Sequence, residues 1–245
     1  MEGYIITMEK DTVKGFIRHE GWTESPVNIQ FKTKENDLEE KFSVYEINEF
    51  FILGTGELYK SKKIGVLNIT LDQIYSTAPS LLAKDSIQIF LQEIVSGKMA
   101  RLYEFVNTAE ESHFFVEKED KLIELYNYPF NKEVDGKKYL LVYDEYKRQL
   151  AELTRDAEKF GSAIPGYLEK PLKRYIENYN QYFSGKNSVS PVTDNGLTFD
   201  LDLNAGLENW HELPLDVSQK LTYGVGVRMN LPRRFRNRFF KVGCL

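Results

Sequence analysis

Histidines and carboxylates are the side chains of this sequence that could carry acid–base or metal chemistry. His19, His113 and His211 lie in different predicted elements, and none stands at an HxxxH spacing or near a cysteine. A catalytic or metal site is a constellation of groups, so each histidine is expected to be a surface or strand residue. Acidic pairs in charge-rich segments, such as Asp144 with Glu145, do not stand out as a general acid and base. The sequence therefore predicts a protein that is not an enzyme, with no catalytic, cofactor-binding or metal-binding residue and no cofactor.

Two short motifs resemble ligand loops but lack residues that such loops need. The GTGE segment, residues 54–57, holds a single GxG, and the LYKSKK that follows is not the glycine-rich helix start of a phosphate cradle. The DLDLNAG segment, residues 200–206, has acidic or amide side chains at alternate positions, as a calcium loop does. However, Ala205 stands at the sixth loop position and His211 at the twelfth, where glycine and glutamate are required. We expect a hairpin turn at the first segment and a strand at the second.

The segment PRRFRNRFFK, residues 232–241, carries five basic residues among three phenylalanines. Nucleic-acid binding is not expected, because the formal net charge of the chain is −5 and phosphate contacts need a larger excess of Lys and Arg. Basic and aromatic residues that follow a strand are also typical of the interfacial girdle of a membrane barrel. We favour that interpretation, with a basic turn of a soluble protein as the alternative.

Short segments of alternating polarity, separated by turn residues, predict strands in the first part of the chain. GYIITM and TVKGFIRHE form a predicted hairpin, VNIQFK a further strand, and EKFSVYEINEFFILG with ELYKSKKIGVLNI two or three more. SIQIFLQEIVSGKMARLYEFVN and SHFFVEKEDKLIELYNYPF predict two hairpins whose four strands could form a meander. We therefore expect residues 1–140 to form a β-rich N-terminal domain, as an antiparallel meander or a sandwich-like sheet.

The hydrophobic period lengthens after residue 140. Apolar residues from Tyr143 to Phe160, and again from Leu168 to Phe183, recur at helical spacing, with Pro171 in the first turn of the second helix. Such helices most simply form an antiparallel pair that packs together or caps a sheet, so residues 141–183 are predicted to be a helical pair. Residues 184–196, SGKNSVSPVTDNG, are polar and rich in turn formers and are predicted to be a linker.

Residues 197–245 are predicted to form a C-terminal amphipathic β-hairpin. In LTFDLDLNAGL the apolar side chains of Leu197, Phe199, Leu201 and Leu203 alternate with polar ones, and KLTYGVGVRMNL alternates in the same way. RFFKVGC is a weaker candidate for a third strand. The predicted fold class of the whole chain is mainly β with a two-helix insertion.

These segments resemble a family of outer-membrane β-barrel proteins of Gram-negative bacteria that carry a β-rich N-terminal region ahead of the barrel. The resemblance rests on GYIITMEKDTVKGFIRHEGW, YEINEF, IFLQEIVSGKMARLYEF, HFFVEK, YKRQLAEL, LKRYIENYN and YGVGVRMNLPRRF, which span most of the chain. It implies an outer-membrane location and a two-part architecture, whereas the biochemical role of the family is undefined. Members begin with a secretory signal peptide, whose basic and apolar regions are missing from MEGYIITMEKD.

The expected function is that of a non-enzymatic cell-envelope protein of undefined role, with its β-rich domain attached to the start of an outer-membrane β-barrel. Its expected partners are outer-membrane lipid at the C-terminal strands and an unknown protein or ligand at the domain. The outer membrane is the expected location if a signal peptide precedes this chain, and the cytoplasm otherwise. Because a barrel needs about eight or more strands, the chain is expected to be truncated early in its barrel. The alternative is a soluble binding or interaction module whose hairpin packs on the helical pair.

Overall fold

The computed structural model describes residues 1–19, 22, 24–67, 74–75, 84–158, 160–184, 198–208, 220–230 and 239–244. The predicted fold class, mainly β with a two-helix insertion, is confirmed. The chain forms two units. The first contains residues 1–20 and 24–193, and the second contains residues 21–23 and 194–245.

The described residues of the first unit form thirteen strands. They are β1 (Glu2–Thr7), β2 (Thr12–Ile17), β3 (Asn28–Lys32), β4 (Glu40–Ser43), β5 (Ile47–Ile52), β6 (Glu57–Leu67), β7 (Ile74–Tyr75), β8 (Lys84–Val95), β9 (Arg101–Val106), β10 (Ser112–Lys118), β11 (Lys121–Leu125), β12 (Tyr128–Val134) and β13 (Lys137–Tyr143). Ten of them form one antiparallel sheet in the order β11-β10-β9-β8-β6-β5-β1-β2-β3-β4. The remaining three form a smaller sheet in the order β13-β12-β7.

The hairpins predicted from alternation are confirmed. β1 pairs with β2, β8 with β9 and β10 with β11, and the four strands β8 to β11 form the predicted meander. The β10–β11 turn lies at Glu119 and Asp120, which both adopt positive φ angles, 51° and 59°. Residues 53–56 form the turn between β5 and β6, as expected for the GTGE segment, whose Glu57 begins β6.

The helices are α1 (Tyr146–Leu153) and α2 (Glu169–Ser184). The prediction for α2 is confirmed, but the prediction that the first helix runs from Tyr143 to Phe160 is wrong at both ends. Tyr143 is the last residue of β13, where it pairs with Tyr128. At the other end, the Thr154 hydroxyl donates to the Leu150 carbonyl, a local hydrogen bond that competes with continuation of the helix.

The apolar faces of both helices pack on strands β8 to β11. The resulting core cluster consists of Ile94, Val95, Ala100, Leu102, Phe114, Val116, Leu125, Tyr146, Leu150, Leu153, Ala157, Leu172, Tyr175, Ile176 and Tyr179. The predicted helical pair therefore caps a sheet. Burial of such side chains contributes about 1.5–3 kcal/mol each, so this cluster is a main source of stability for the first unit.

One buried side chain of α2 fixes the turn between β8 and β9. Asn180 Oδ1 accepts hydrogen bonds from the Met99 and Ala100 N–H groups, both at 3.0 Å, and its Nδ2 donates to the Ala100 carbonyl at 2.8 Å. Gly97 lies against the same amide, because a Cβ at this position would approach Asn180 Nδ2 to 2.2 Å. The turn therefore depends on two residues. Gly97 leaves room for the Asn180 amide, and Asn180 forms the hydrogen bonds that the turn's backbone groups need.

The outer edge of β11 is closed at its end by Gln149 of α1. Gln149 Nε2 donates to the Glu124 carbonyl and Gln149 Oε1 accepts from the Tyr126 N–H, both at 2.8 Å. The Tyr167 hydroxyl acts on the other side of β11: it accepts from the Phe114 N–H at 3.1 Å and donates to the Leu125 carbonyl at 2.8 Å, and so bridges the end of the β10–β11 ladder. Backbone groups that another strand would otherwise bind are thus already occupied.

The second unit contains a three-stranded antiparallel sheet, β14 (Thr198–Glu208), β15 (Lys220–Asn230) and β16 (Phe239–Cys244), in chain order. The predicted C-terminal hairpin and its weaker third strand are confirmed. Residues 185–196 of the predicted linker and residues 232–238 of the basic segment lie outside the described residues.

Candidate functional site

The leading candidate for a functional surface is the ribbon of β14 and β15, because one of its faces is both apolar and exposed. Leu201 lies opposite Val227 and Leu203 opposite Val225 in the register. The exposed fractions of Leu201, Leu203 and Tyr223 are 66%, 72% and 75%. Large exposed apolar patches mark sites of contact with proteins, ligands or membranes, so this face is suited to contact with another apolar phase or molecule.

The opposite face of the ribbon carries the polar positions. The register places Asp200 opposite Arg228 and Glu208 opposite Lys220. Gly224 and Gly226 of the same row are buried. The DLDLNAG segment is therefore a strand with alternating sides, as predicted, and its acidic residues follow from the period of two in a strand.

The ribbon has the length that a bilayer-crossing strand needs. β14 and β15 each contain 11 residues and pair along their full length. At about 3.4 Å per residue and a tilt of about 35–45°, such a strand covers roughly 25–30 Å along the membrane normal. That distance matches the apolar band of about 25 Å found on membrane-spanning strands.

His113 lies in a buried polar cluster of the first unit. Its Nδ1 is 3.5 Å from Glu124 Oε1, and its Nε2 is 3.4 Å from Asn107 Nδ2. The Tyr128 hydroxyl donates to the same carboxylate. The His113 ring also packs between Phe105 and Tyr128, at centroid distances of 5.8 and 5.3 Å. A pair of this kind could exchange a proton, but its position between β10, β11 and β12 equally serves to join these strands.

Of the other two histidines, the structure describes His19 but not His211. His19 Nε2 is 3.3 Å from Glu57 Oε2, and both side chains are buried. His211 lies outside the described residues. The expectation of a surface or strand residue is met by His113, which lies on β10, and is wrong for His19, which lies outside the strands with its side chain buried beside Glu57. The histidine and the carboxylate of each pair are far apart in sequence, so no motif of fixed spacing could reveal either pair.

A charged network crosses strands β6, β9 and β10 on one side of the large sheet. Lys62 Nζ lies 2.6 Å from Glu117 Oε1, and the Tyr103 hydroxyl donates to Glu117 Oε2 at 2.7 Å. Burial opposes ionisation of Glu117, but hydrogen bonds from Lys62, Tyr103 and Arg101 together lower its pKa below the usual value. Burial and the nearby carboxylates raise the pKa of Tyr103. Glu117 is thus held as an anion between cations.

A second group of charges lies on the neighbouring strands. Lys60 Nζ is 2.7 Å from Glu93 Oε2, whose side chain is fully buried, and 3.8 Å from Glu49 Oε2. The Tyr4 hydroxyl donates to Glu49 Oε1 at 3.0 Å. Burial, together with the Glu49 charge, raises the pKa of Tyr4 to about 12. One lysine therefore bridges two carboxylates from different strands, an arrangement typical of sheet stabilisation.

Two concave regions accompany these networks. A cavity of about 200 Å³ is lined by residues that include Phe115, Leu122, Glu124 and Gln149. An open groove of about 510 Å³ runs over β1 and β2, lined mainly by apolar surface that includes Phe16 and Phe51. Each could accept a small molecule. Neither His19 nor His113 is among the residues that line them.

Within the described ranges, no group of three or more His, Cys, Asp or Glu side chains is arranged to hold a metal ion. In the same part of the chain, no helix has both the length and the apolar character that a membrane crossing requires.

Comparisons with protein-family models, with curated proteins and with solved structures found no match to this chain.

Proposed function

We propose that this protein belongs to the cell envelope, where the β14–β15 ribbon lies in a lipid bilayer as part of an outer-membrane β-barrel. In this proposal the first unit is a non-enzymatic interaction domain attached to the barrel. The observation that carries the proposal is the exposed apolar row of Leu201, Leu203, Tyr223, Val225 and Val227.

Three properties of the ribbon support lipid as the occupant of that row. The apolar residues alternate with polar positions over 11 residues, which is the pattern of a strand between lipid and a polar interior. Strands of this length cross the hydrocarbon core when tilted. A three-stranded sheet is also stable in water only when its apolar face is packed, so this exposed face needs another apolar phase.

The proposed role of the first unit rests on its rigidity and its open groove. Ten paired strands and two helices fix a large surface, and an open groove of about 510 Å³ lies over β1 and β2. Interaction sites are commonly presented by a rigid scaffold of this kind. The ligand class stays undefined, as the family resemblance also implies.

Site-directed fluorescence tests the lipid contact. Cys244 is the only cysteine, so a Cys244→Ser chain can carry single cysteines at positions 201, 203 and 225 of the apolar row, and at 202, 204 and 222 of the polar row. Each variant is labelled with an environment-sensitive dye and reconstituted into phosphatidylethanolamine and phosphatidylglycerol vesicles. Dyes in the apolar row should shift to the blue and be quenched by spin-labelled acyl chains, whereas dyes in the polar row should not.

The alternation between rows is the decisive result. Uniform quenching of both rows would indicate non-specific adsorption and contradict the proposal. If no position is quenched and the chain stays in the aqueous phase, the alternative function is favoured: a soluble binding module whose hairpin packs within the protein.

A further inference from the structure

Strand β13 combines an apolar sequence with an unusually exposed position. All its residues except Tyr143 are exposed, among them Leu140 at 65% and Val142 at 52%. Among the described strands β13 pairs with β12 alone, so its second edge is open. A long, exposed, apolar edge is a template for pairing with another strand.

The edges of the large sheet are protected, in contrast to β13. Gln149 occupies backbone groups at the outer edge of β11, as described above. The opposite edge strand, β4, contains only four residues and carries charge at Glu40 and Lys41. Short, charged or covered edges resist pairing. β13 is longer than β4, its only charges are the two lysines at its start, and its part from Tyr139 to Tyr143 is uncharged, so its edge is a better candidate for an interface.

The turn before β13 determines which of its backbone groups point outward. Asp135 and Gly136 form a two-residue turn with φ angles of 51° and 71°, and Val134 lies opposite Lys137. In such hairpins the pair next to the turn exchanges both backbone hydrogen bonds, and every second residue repeats this. Lys137, Tyr139, Leu141 and Tyr143 therefore bond to β12. The backbone groups of the three alternate residues, Lys138, Leu140 and Val142, point away from it.

The outward groups fit a second copy of the same strand. An antiparallel arrangement with a two-fold axis through Leu140 places Leu140 opposite itself and Lys138 opposite Val142 of the second copy. Both are hydrogen-bonding positions on both strands, so the backbone pattern is satisfied by symmetry.

The charges of β13 also suit antiparallel self-pairing. The strand begins with Lys137 and Lys138 and is followed directly by Asp144 and Glu145. In the antiparallel arrangement no two lysines face each other, and Lys138 has Asp144 of the second copy as a diagonal neighbour. A parallel arrangement would place the lysines side by side, which is unfavourable.

We propose that β13 is a homodimer interface, at which two copies join their three-stranded sheets, antiparallel, about an axis through Leu140. The interface is independent of the lipid-facing ribbon and would operate whether or not that ribbon enters a membrane.

Charge substitution at the axis tests the interface in the full chain. Leu140→Lys alone and Leu140→Glu alone each place like charges opposite one another in the dimer, while an equimolar mixture places opposite charges there. Association is measured by sedimentation equilibrium in a density-matched detergent, which covers the β14–β15 face. We expect each single variant to raise the dimer dissociation constant at least about tenfold, and the mixture to recover association.

A matched control separates this effect from a general loss of exposed leucine. Leu53 is 62% exposed but lies outside β13, so Leu53→Lys should leave the dissociation constant unchanged. A second measurement uses Leu140→Cys in the Cys244→Ser chain, which should form a disulfide-linked dimer on mild oxidation, whereas Leu53→Cys should not. A monomeric parent chain, unaltered association of both charge variants, or equal effects at Leu53 and Leu140 would each overturn the proposal.

Discussion

Replacement of Asn180 by alanine should destabilise the first unit by about 3 kcal/mol. The amide of Asn180 is 3% exposed and makes three hydrogen bonds to the backbone of Met99 and Ala100. Ala100 is buried, so its N–H and C=O would lose their partners at about 1–3 kcal/mol each. The Met99 N–H is only partly buried and adds less. Subtracting about 0.5 kcal/mol for the better helix propensity of alanine leaves roughly 3 kcal/mol.

Asn178 provides the matched control, because it lies on the same helix and is exposed. Asn178→Ala makes the same chemical change and should be neutral or stabilising by a few tenths of a kcal/mol. Urea unfolding followed by far-UV circular dichroism gives the free energy of unfolding of each variant. Hydrogen exchange of the Met99 and Ala100 amides reports the local effect, and their protection should fall only in Asn180→Ala.

The reasoning would be refuted if the two alanine variants had equal free energies of unfolding, within about 0.5 kcal/mol. It would also be refuted if Asn180→Ala were destabilising but the two amides kept their protection, since the energy would then come from elsewhere in the helix packing.

Two further predictions concern the same unit. Gly97→Ala should be destabilising in the parent chain, because its Cβ would meet the Asn180 amide. The same substitution should lower the free energy of unfolding by at least about 1 kcal/mol less in the Asn180→Ala background. A double-mutant cycle by urea unfolding measures this difference, and additive effects of the two substitutions would contradict the prediction. Glu117 has a lowered pKa, so its contribution to stability is present above the ordinary glutamate pKa of 4.5 and is lost as the pH falls through the lower pKa of the folded state. The difference in free energy of unfolding between the parent and Glu117→Gln should therefore be largest near pH 7 and shrink below about pH 4.5, whereas a constant difference would argue against an ionised Glu117.

Much of the strand pattern could be predicted because it depends on local alternation. β1, β2 and β8 to β11 follow from alternating residues and turn formers that are adjacent in sequence. The β12–β13 hairpin also has a local signal, Asp135-Gly136 between apolar segments, which is a strong indicator of a two-residue turn. The end of this hairpin was assigned to the first helix, because the apolar residues at helical spacing begin at Tyr143. An aromatic residue is compatible with the last position of a strand as well as with the first turn of a helix.

The arrangement of the large sheet and its polar clusters could not be predicted in the same way. β1 lies between β2 and β5, so one of its neighbours is distant in sequence. His113 meets Glu124 only because the β10–β11 register brings them to the same side of the sheet. A shift of one residue in that register would turn either side chain to the other side. For the ribbon, alternation alone predicted the two faces, whereas the exposure of Leu201 and Leu203 is a property of the fold.

The contact between Asn180 and the β8–β9 turn imposes an order on biosynthesis. A ribosome that has made β8 to β11 has not yet made α2, and the Ala100 backbone must wait for a residue 80 positions later. Until then the apolar face that α2 covers is exposed, and exposed apolar surface is prone to aggregation. Completion of α2 allows that face to be covered and the Met99 and Ala100 backbone groups to be hydrogen-bonded.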